Sequence, residues 1–227
     1  MILQIETATT SCSVALASDG TVLAFKEINA RNIHAEVITV YIDELIVQTN
    51  ITYAHLDAIA VSCGPGSYTG LRIGVSTAKG LCFALDKPLI SVPTLAAMAK
   101  GVARNYTIDK DTLLCPMIDA RRMEVYTAVY NAAGEVIKPV AAEIIDADSF
   151  SDILAENKIL FFGDGADKCR QALSHNPNAE FLADFENSAT HLTQIAADKF
   201  ARADFEDVAY FEPYYLKDFI VGKKAGS

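Results

Sequence analysis

Apolar and polar positions divide the chain into two halves that predict the same order of elements. In the first half the pattern predicts five strands, over residues 2–7, 12–17, 21–28, 56–62 and 88–92. Asp19-Gly20 is a strong hairpin signal between the second and third strands. Apolar residues at helical spacing predict three helices, over 34–48, over 69–85, and from Pro93 to about 104.

The second half starts the same series again. Its strands are predicted over 113–118, 124–130, 135–145 and 159–162. Its helices are predicted over 149–156, from the Gly163-Asp164-Gly165 turn through 173, and over 188–203. A tail with a small basic end, Lys223-Lys224, follows and is typical of a mobile terminus.

The shared order of elements predicts two related α/β lobes, each a mixed sheet with helices on its faces. We place them at residues 1–104 and 105–227, with the last residues packing back or mobile. The first strands end in Glu6 and Asp119, so these carboxylates and the glycine turns are expected to face one cleft. Chance similarity among short strands is the alternative to this interpretation.

Composition narrows the class of protein. The chain has 227 residues, 51% of them hydrophobic, and a net charge of −10. Such a composition excludes intrinsic disorder, and the acidic balance argues against a protein that grips nucleic acid by itself. The first residues lack a signal-peptide pattern, no apolar run reaches the ~20 residues of a membrane helix, and the five cysteines form no C-x-x-C pair. A cytoplasmic protein with reduced thiols is expected.

A glycine-rich segment, 64–72, carries the densest local signal. It reads G-P-G-S-Y-T-G-L-R and follows a strand and opens a helix, so its amides either hold an anion or are simply capped by Ser67 or Thr69. Within the helix, Gly70, Gly74 and Ala78 share one face. Glycine in a helix costs about 1 kcal/mol relative to alanine, which close approach of another helix would offset. That helix belongs either to this fold, with 34–48 as a natural neighbour, or to a partner chain.

Other candidate chemistry is weaker. The segment 119–126, D-A-R-R-M-E-V-Y, fits either a ligand site with Asp119 and an arginine on a phosphate, or a surface ion cluster. The four histidines, His34, His55, His175 and His191, lack zinc-ligand spacing, and no G-x-S-x-G nucleophile motif occurs.

Three segments together resemble the bacterial TsaB family, formerly called YeaZ. They are I-E-T-A at 5–8, the run 64–81 beginning G-P-G-S-Y-T-G-L-R, and D-A-R-R-M-E-V-Y at 119–126, and the match runs essentially from end to end. The resemblance implies an actin-like ATPase (ASKHA) fold of two duplicated ribonuclease-H-like lobes, with mixed sheets flanked by helices. It also implies a role in making threonylcarbamoyladenosine, the modified adenosine next to the tRNA anticodon.

The same resemblance implies partners and an interface. TsaB-like proteins pair with the catalytic paralogue TsaD, with the small ATPase TsaE, and with a second copy of themselves, and they meet tRNA only through the complex. The dimer surface is implied on helices 34–48 and 69–85. Its candidate residues here are His34, Val37, Tyr41, Tyr68, Gly70, Leu71, Arg72, Gly74, Val75 and Ala78.

The resemblance further implies an inactive relative of an enzyme. TsaD-like sequences carry a H-L-E-G-H metal motif where this chain has T-L-A-A-M, with Thr94 and Met98 in place of the two histidines. A hydroxyl and a thioether replace imidazole poorly. We therefore expect no metal, no catalytic residue, and neither transferase nor metallopeptidase chemistry in this chain alone.

Two functions of different classes follow. The first is a non-catalytic scaffold that supports a TsaD-like subunit. The alternative is a nucleotide-binding ATPase or kinase of the actin-like superfamily, by analogy of fold. No cofactor is expected except ATP or ADP at the cleft or at the partner interface, and the candidate cleft residues are Glu6, Thr7, Asp119, Gly163 and Gly165.

Overall fold

The first half of the chain folds into a five-stranded mixed sheet. The computed structural model describes residues 1–31 and 33–217, so the basic end Lys223-Lys224 lies outside the described residues. The sheet has the order β3-β2-β1-β4-β5, formed by β1 (Ile2–Glu6), β2 (Ser11–Ser18), β3 (Thr21–Asn29), β4 (Ala58–Ser62) and β5 (Leu89–Val92). Strand β1 is antiparallel to β2 and parallel to β4. Asp19 and Gly20 have φ of 50° and 73°, which confirms the predicted hairpin turn.

The second half repeats this sheet. Its order is β10-β9-β6-β7-β8, formed by β6 (Leu113–Asp119), β7 (Glu124–Tyr130), β8 (Val136–Ile144), β9 (Ile159–Phe162) and β10 (Ala179–Phe181). With β6 in the place of β1, the two sheets have the same strand order and the same directions around the first strand. The predicted duplication is therefore confirmed. The three-residue β10 had no sequence signal of its own.

Six helices flank the sheets within the described residues: α1 (His34–Gln48), α2 (Tyr68–Leu85), α3 (Thr94–Asn105), α4 (Ser151–Leu154), α5 (Ala166–Leu173) and α6 (Thr193–Ala201). Two 3₁₀ turns, Tyr53–His55 and Ala189–Leu192, precede β4 and α6. The predicted helix over 188–203 is thus a 3₁₀ turn followed by a shorter helix, and the one over 149–156 is a single turn. Helices α1 and α2 contact each other and cover one face of the first sheet, where they enclose a buried apolar core.

Helices α3 and α6 each pack on the sheet formed by the other half of the chain. Helix α3 packs against the second sheet, where Leu95 and Met98 join a buried cluster with Ile118. The segment of α6 and its preceding 3₁₀ turn packs instead on the first sheet, through Leu192 and Ala196. Each of these segments thus packs on the sheet that the other half of the chain forms, and the division into lobes at residue 104 stays a prediction.

The end of the described chain also returns to the first lobe. Phe211 packs against the core beneath α1 and α2, and Tyr214 N–H donates to the Cys63 carbonyl oxygen (2.7 Å). Lys217 Nζ then reaches Glu124 of the second lobe (2.6 Å). Residues 218–227 lie outside the described residues, so the expectation that the last residues pack back or are mobile stays a prediction.

Candidate functional site

The carboxylate at the end of β1 points into the protein. Glu6 is fully buried, and its Oε1 accepts hydrogen bonds from Ala8 N–H (2.6 Å) and Ser62 Oγ (2.9 Å). Its Oε2 has no hydrogen-bond partner among the described residues. Burial raises the pKa of Glu6 to about 7 because the charged form is poorly solvated. Glu6 therefore lies behind the cleft rather than at its surface.

The equivalent carboxylate of the second lobe reaches solvent. Asp119, at the end of β6, is exposed, accepts a hydrogen bond from Arg121 N–H (2.8 Å), and pairs with Lys168. Its own N–H donates to Asp164 Oδ1 (3.0 Å). Desolvation, together with the charge of Asp119, raises the pKa of Asp164.

The two glycines beside Asp164 allow its turn to lie close to β6. A Cβ on Gly163 would stand 2.3 Å from the Met117 carbonyl oxygen, and one on Gly165 would stand 2.9 Å from the Ile118 carbonyl carbon. Gly163 also has a φ of +103°, which L-side chains rarely adopt. Both predicted cleft glycines thus pack against the strand, and their effect is to hold Asp164 beside Asp119.

An open cleft of about 370 Å³ lies between the lobes at this point. The first lobe contributes the residue just before β2 and the residues at and after the end of β3, and the second lobe contributes the two aspartates. The lining residues are Thr10, Asn29, Ala30, Arg31, Asp119 and Asp164. Asp119 is the predicted residue that the structure places in the cleft. Glu6 and Thr7 are fully buried, and Asn29, Arg31 and Asp164 were missed by the sequence analysis.

The small-residue face of α2 lies against the chain's own first lobe. A Cβ on Gly70 would stand 2.0 Å from the Thr7 carbonyl oxygen, and one on Gly74 would stand 2.2 Å from Thr7 Oγ1. Ala78 is fully buried in the same core. The close neighbour of Gly70 and Gly74 is therefore the end of β1, whereas Ala78 shares its core with residues of α1, the helix expected beside this face.

Several other residues expected at the partner interface are also internal. Leu71 and Val75 are buried in the core under α2, and His34 is buried with its Nε2 2.9 Å from the Thr9 carbonyl oxygen. Val37 and Tyr41 are half-buried against the same core. Of the candidate residues, Arg72 is exposed, and Tyr68 is half-buried with its ring 4.6 Å from that of Tyr215.

A different set of residues on the two helices faces solvent. We call it the outer helix face and define it by Val40 and Val47 of α1 and by Arg72, Gly80 and Phe83 of α2. Phe83 is 86% exposed, Val47 78% and Val40 48%. A Cβ on Gly80 would meet no atom of the described residues within 4 Å, so this glycine has no packing role among them.

Comparisons with known proteins agree with this architecture. The family model TsaD, tRNA N6-adenosine threonylcarbamoyltransferase, matches residues 27–218. The tRNA threonylcarbamoyladenosine biosynthesis protein TsaB of Escherichia coli (strain K12) is 32% identical over 98% of this chain and 97% of that protein. The chain belongs to the TsaB (YeaZ) family. It is therefore a member of a family that takes part in threonylcarbamoyladenosine modification of tRNA, and it is related to the TsaD family.

Solved structures of other proteins share the fold of this chain. YeaZ from Pseudomonas aeruginosa has a TM-score of 0.80 at 26% identity, covering 95% of this chain and 99% of that one. The activator of the 2-hydroxyisocaproyl-CoA dehydratase from Clostridium difficile with bound ADPNP has a TM-score of 0.52 at 10% identity, covering 91% of this chain and 98% of that one, which shows likeness of fold alone. The expected actin-like fold of two ribonuclease-H-like lobes is confirmed.

In this TsaB-family chain, the two residues that stand where TsaD-like sequences carry the histidines of the metal motif take part in internal packing. Thr94 and Met98 are fully buried at the start of α3. Thr94 Oγ1 accepts a hydrogen bond from Gly64 N–H (3.0 Å), and Met98 packs in the cluster that joins α3 to the second sheet. Among residues 1–31 and 33–217, no group of three or more His, Cys, Asp or Glu side chains is arranged to hold a metal ion.

Two further expectations concern the compartment. All five cysteines are free, four of them buried, as the sequence predicts. Among the described residues, no helix combines the length and the apolar character needed to cross a membrane.

Proposed function

We propose that this chain is a non-catalytic pairing subunit of the threonylcarbamoyladenosine synthesis complex. It binds a TsaD-like subunit, which transfers the threonylcarbamoyl group from threonylcarbamoyl-AMP to the tRNA adenosine next to the anticodon. The observation that carries the proposal is the outer helix face, an exposed apolar surface on the two helices for which the family resemblance implies pairing.

The outer helix face has the properties of a protein-binding surface. Val47 and Phe83 leave most of their apolar surface in water, and burying such a side chain contributes about 1.5–3 kcal/mol. Gly80 costs the isolated helix about 1 kcal/mol relative to alanine and has no neighbour here. A partner that packs closely over Gly80 would offset this cost, and the same face would serve a second copy of the chain when TsaD is absent.

The pairing role is tested by shortening two exposed side chains together. We expect Val47→Ser/Phe83→Ser to weaken binding to the TsaD-like protein of the same organism at least about tenfold, because central aromatic anchors often carry 2 kcal/mol or more of binding energy. Size-exclusion chromatography with light scattering, followed by calorimetry, measures the effect.

A matched control uses exposed apolar residues of the second lobe. Val136 and Ile144, on edge strand β8, are 58% and 73% exposed. Val136→Ser/Ile144→Ser should leave binding unchanged. The assignment of the outer helix face would be contradicted if both double variants weakened binding equally. It would also be contradicted if neither of them weakened binding.

The non-catalytic part of the proposal rests on Thr94 and Met98. Their side chains are engaged in the hydrogen bond to Gly64 and in the core, so they are not available as ligands. We expect the purified chain with threonylcarbamoyl-AMP and tRNA to form no modified tRNA, measured by nucleoside mass spectrometry, and addition of the TsaD-like subunit and a TsaE-like ATPase to restore it. Modification by this chain alone would overturn the non-catalytic role.

The cleft favours the second candidate, a nucleotide-binding ATPase or kinase. Asp119 and Asp164 stand side by side there, and the fold is shared with a protein solved with ADPNP bound. Against it, the buried Glu6 carboxylate is held by Ala8 and Ser62 and does not line the cleft. Calorimetry with Mg-ATP separates the two functions, because tight binding with turnover by the isolated chain would favour the enzyme.

A further inference from the structure

A second concave site lies away from the cleft, at the carboxyl-terminal half of α3. It has a volume of about 260 Å³ and is bounded by β3, by α3 and by the segment that leads into α6. We call it the α3 pocket and define it by Val22, Phe25, Lys100, Arg104, His191 and Gln194. Its lining combines cationic, aromatic and amide side chains.

Two cations of the α3 pocket have no acidic partner among residues 1–31 and 33–217. Lys100 and Arg104 are one helical turn apart and therefore lie on the same side of α3. Lys100 Nζ donates to the Ala133 carbonyl oxygen and Arg104 Nη1 to the Gly20 carbonyl oxygen, both at 3.3 Å. Within the described part of the chain neither side chain forms an ion pair with a carboxylate. Weak bonds to neutral carbonyls leave both cations able to bind an anion.

A neutral imidazole is fixed beside these cations. The His191 ring stacks on Phe185 (centroids 5.3 Å apart), and its Nδ1 accepts a hydrogen bond from Ser188 N–H (3.3 Å). Burial lowers the pKa of His191 to about 4, so the ring is neutral at pH 7. Because Nδ1 is the acceptor for Ser188 N–H, the proton of the neutral ring is assigned to Nε2. Nε2–H has no acceptor among the described residues, which makes it a preplaced hydrogen-bond donor in the pocket lining.

The helix backbone is shaped to accept this ring. A Cβ on Gly101 would stand 2.3 Å from His191 Cδ2, so only glycine lets α3 approach so closely. The Cγ–Cδ2 side of the imidazole therefore lies against the helix that supplies Lys100 and Arg104, and Nε2 is the atom bonded to Cδ2. Three donors of one pocket are brought together by one close packing contact.

The remaining lining suits a planar group. Phe25 lies on the exposed face of β3 and is itself 49% exposed, and base–aromatic stacking contributes about 1–3 kcal/mol per base. Gln194 Nε2 donates to Asp198 Oδ1 (2.9 Å), which leaves Gln194 Oε1 as a fixed acceptor. An amide acceptor and a ring face are the groups that recognise a nucleobase edge and its plane.

We propose that the α3 pocket binds a nucleotide, with its phosphate on Lys100 and Arg104 and its base against Phe25. The pocket volume accommodates the phosphate and sugar, and the base lies at the open side formed by Phe25. The nucleotide is either a free mononucleotide or one residue of an RNA strand, since both present the same groups. The site lies outside the outer helix face and the cleft, so it does not depend on the pairing role.

The test uses AMP and a single-stranded oligoribonucleotide as probes of the full chain. Binding is measured by calorimetry, and its place by NMR of the imidazole signals, of which the chain has four. We expect AMP to shift the His191 signal and to leave that of exposed His55 in place, and Lys100→Ala/Arg104→Ala to weaken AMP binding at least tenfold. Phe25→Ala should weaken AMP binding but not binding of inorganic phosphate.

The control removes the same charge elsewhere. Lys110 and Arg202 are exposed and outside the pocket, so Lys110→Ala/Arg202→Ala should bind AMP as the wild type does. If Lys100→Ala/Arg104→Ala weakens binding of the oligoribonucleotide more than binding of AMP, the ligand of the pocket is a residue of an RNA strand. If it weakens binding of AMP more, the ligand is a free nucleotide. No binding of either probe at millimolar concentration, no shift of His191, or equal weakening by the control would overturn the proposal.

Discussion

Replacing Gly70 with alanine is expected to destabilise the chain by about 3 kcal/mol or more, whereas the same change at Gly80 in the same helix is expected to stabilise it. The added methyl at Gly70 would stand 2.0 Å from the Thr7 carbonyl oxygen, which is a backbone atom and cannot rotate away. Either α2 or the end of β1 has to move, and such overpacking costs about 1–3 kcal/mol and occasionally more. At Gly80 the methyl meets nothing, and the helix gains about 1 kcal/mol.

Gly74 provides an intermediate case. Its added methyl would meet Thr7 Oγ1 at 2.2 Å, and a hydroxyl can be displaced by rotation more cheaply than a backbone carbonyl. Urea unfolding at one protein concentration should therefore rank the variants as Gly80→Ala above wild type, then Gly74→Ala, then Gly70→Ala. A Gly70→Ala chain that unfolds at the wild-type urea concentration would contradict the close contact between α2 and β1.

The close contact between Gly74 and Thr7 also limits which substitutions can test the partner interface. A bulky residue at Gly74 would disturb the core of the first lobe, so loss of pairing in such a variant would reflect misfolding. The exposed residues Val47 and Phe83 avoid this difficulty, since their side chains leave the core intact. The sequence correctly indicated that something approaches the small-residue face, but helical spacing cannot say whether that neighbour is a helix, a partner or a strand end.

The fold was largely predictable because its signals are local and repeated. The turn at Asp19-Gly20 and the apolar runs identify most of the strands, and the repeated order predicts two lobes with equivalent sheets. The crossing of α3 and α6 was not predictable, because an amphipathic pattern shows that a face is buried but not which sheet buries it. A boundary at residue 104 follows the order of elements along the chain, which carries no information about which sheet each helix packs on.

The candidate site was predictable only in part. Asp119 follows from its place at the end of a first strand, and the position of Asp164 was signalled by its two flanking glycines without being recognised. Asn29 and Arg31 enter the cleft from the end of β3, where no motif marks them. The burial of Glu6 depends on Ser62 and on residues near Asn187, which are distant in sequence.

The stability of this chain is expected to contain two opposite pH dependences that nearly cancel between about pH 4.5 and 6.5. Burial raises the pKa of Glu6 from 4.5 to about 7, so the native state holds a proton that the unfolded state releases. The stabilising contribution of Glu6 is then complete below pH 4.5 and is lost as the pH rises through 7, by about 3 kcal/mol in total. Cys12 lies close enough to Glu6 for the two groups to interact, but its own pKa of about 11 keeps it neutral throughout this range.

His191 acts in the other direction. Burial lowers its pKa from 6.5 to about 4, so the unfolded state binds a proton that the native state does not. Its contribution is complete above pH 6.5 and is lost as the pH falls through 4, again by about 3 kcal/mol. Each group changes the free energy of unfolding by about 1.4 kcal/mol per pH unit in the shared range, with opposite signs.

Single variants separate the two slopes. Relative to wild type, Glu6→Gln should make the free energy of unfolding rise with pH between 4.5 and 6.5, because only the His191 contribution remains. His191→Asn, whose Oδ1 can replace Nδ1 as the acceptor for Ser188 N–H, should make it fall over the same range. Urea titrations at half-unit steps of pH measure both slopes, and the difference between each variant and wild type removes the contributions of all other groups. Parallel curves for the wild type and Glu6→Gln would show that the carboxyl of Glu6 has the same pKa in the native and the unfolded chain, which contradicts the effect of its burial. Parallel curves for the wild type and His191→Asn would show the same for the imidazole of His191.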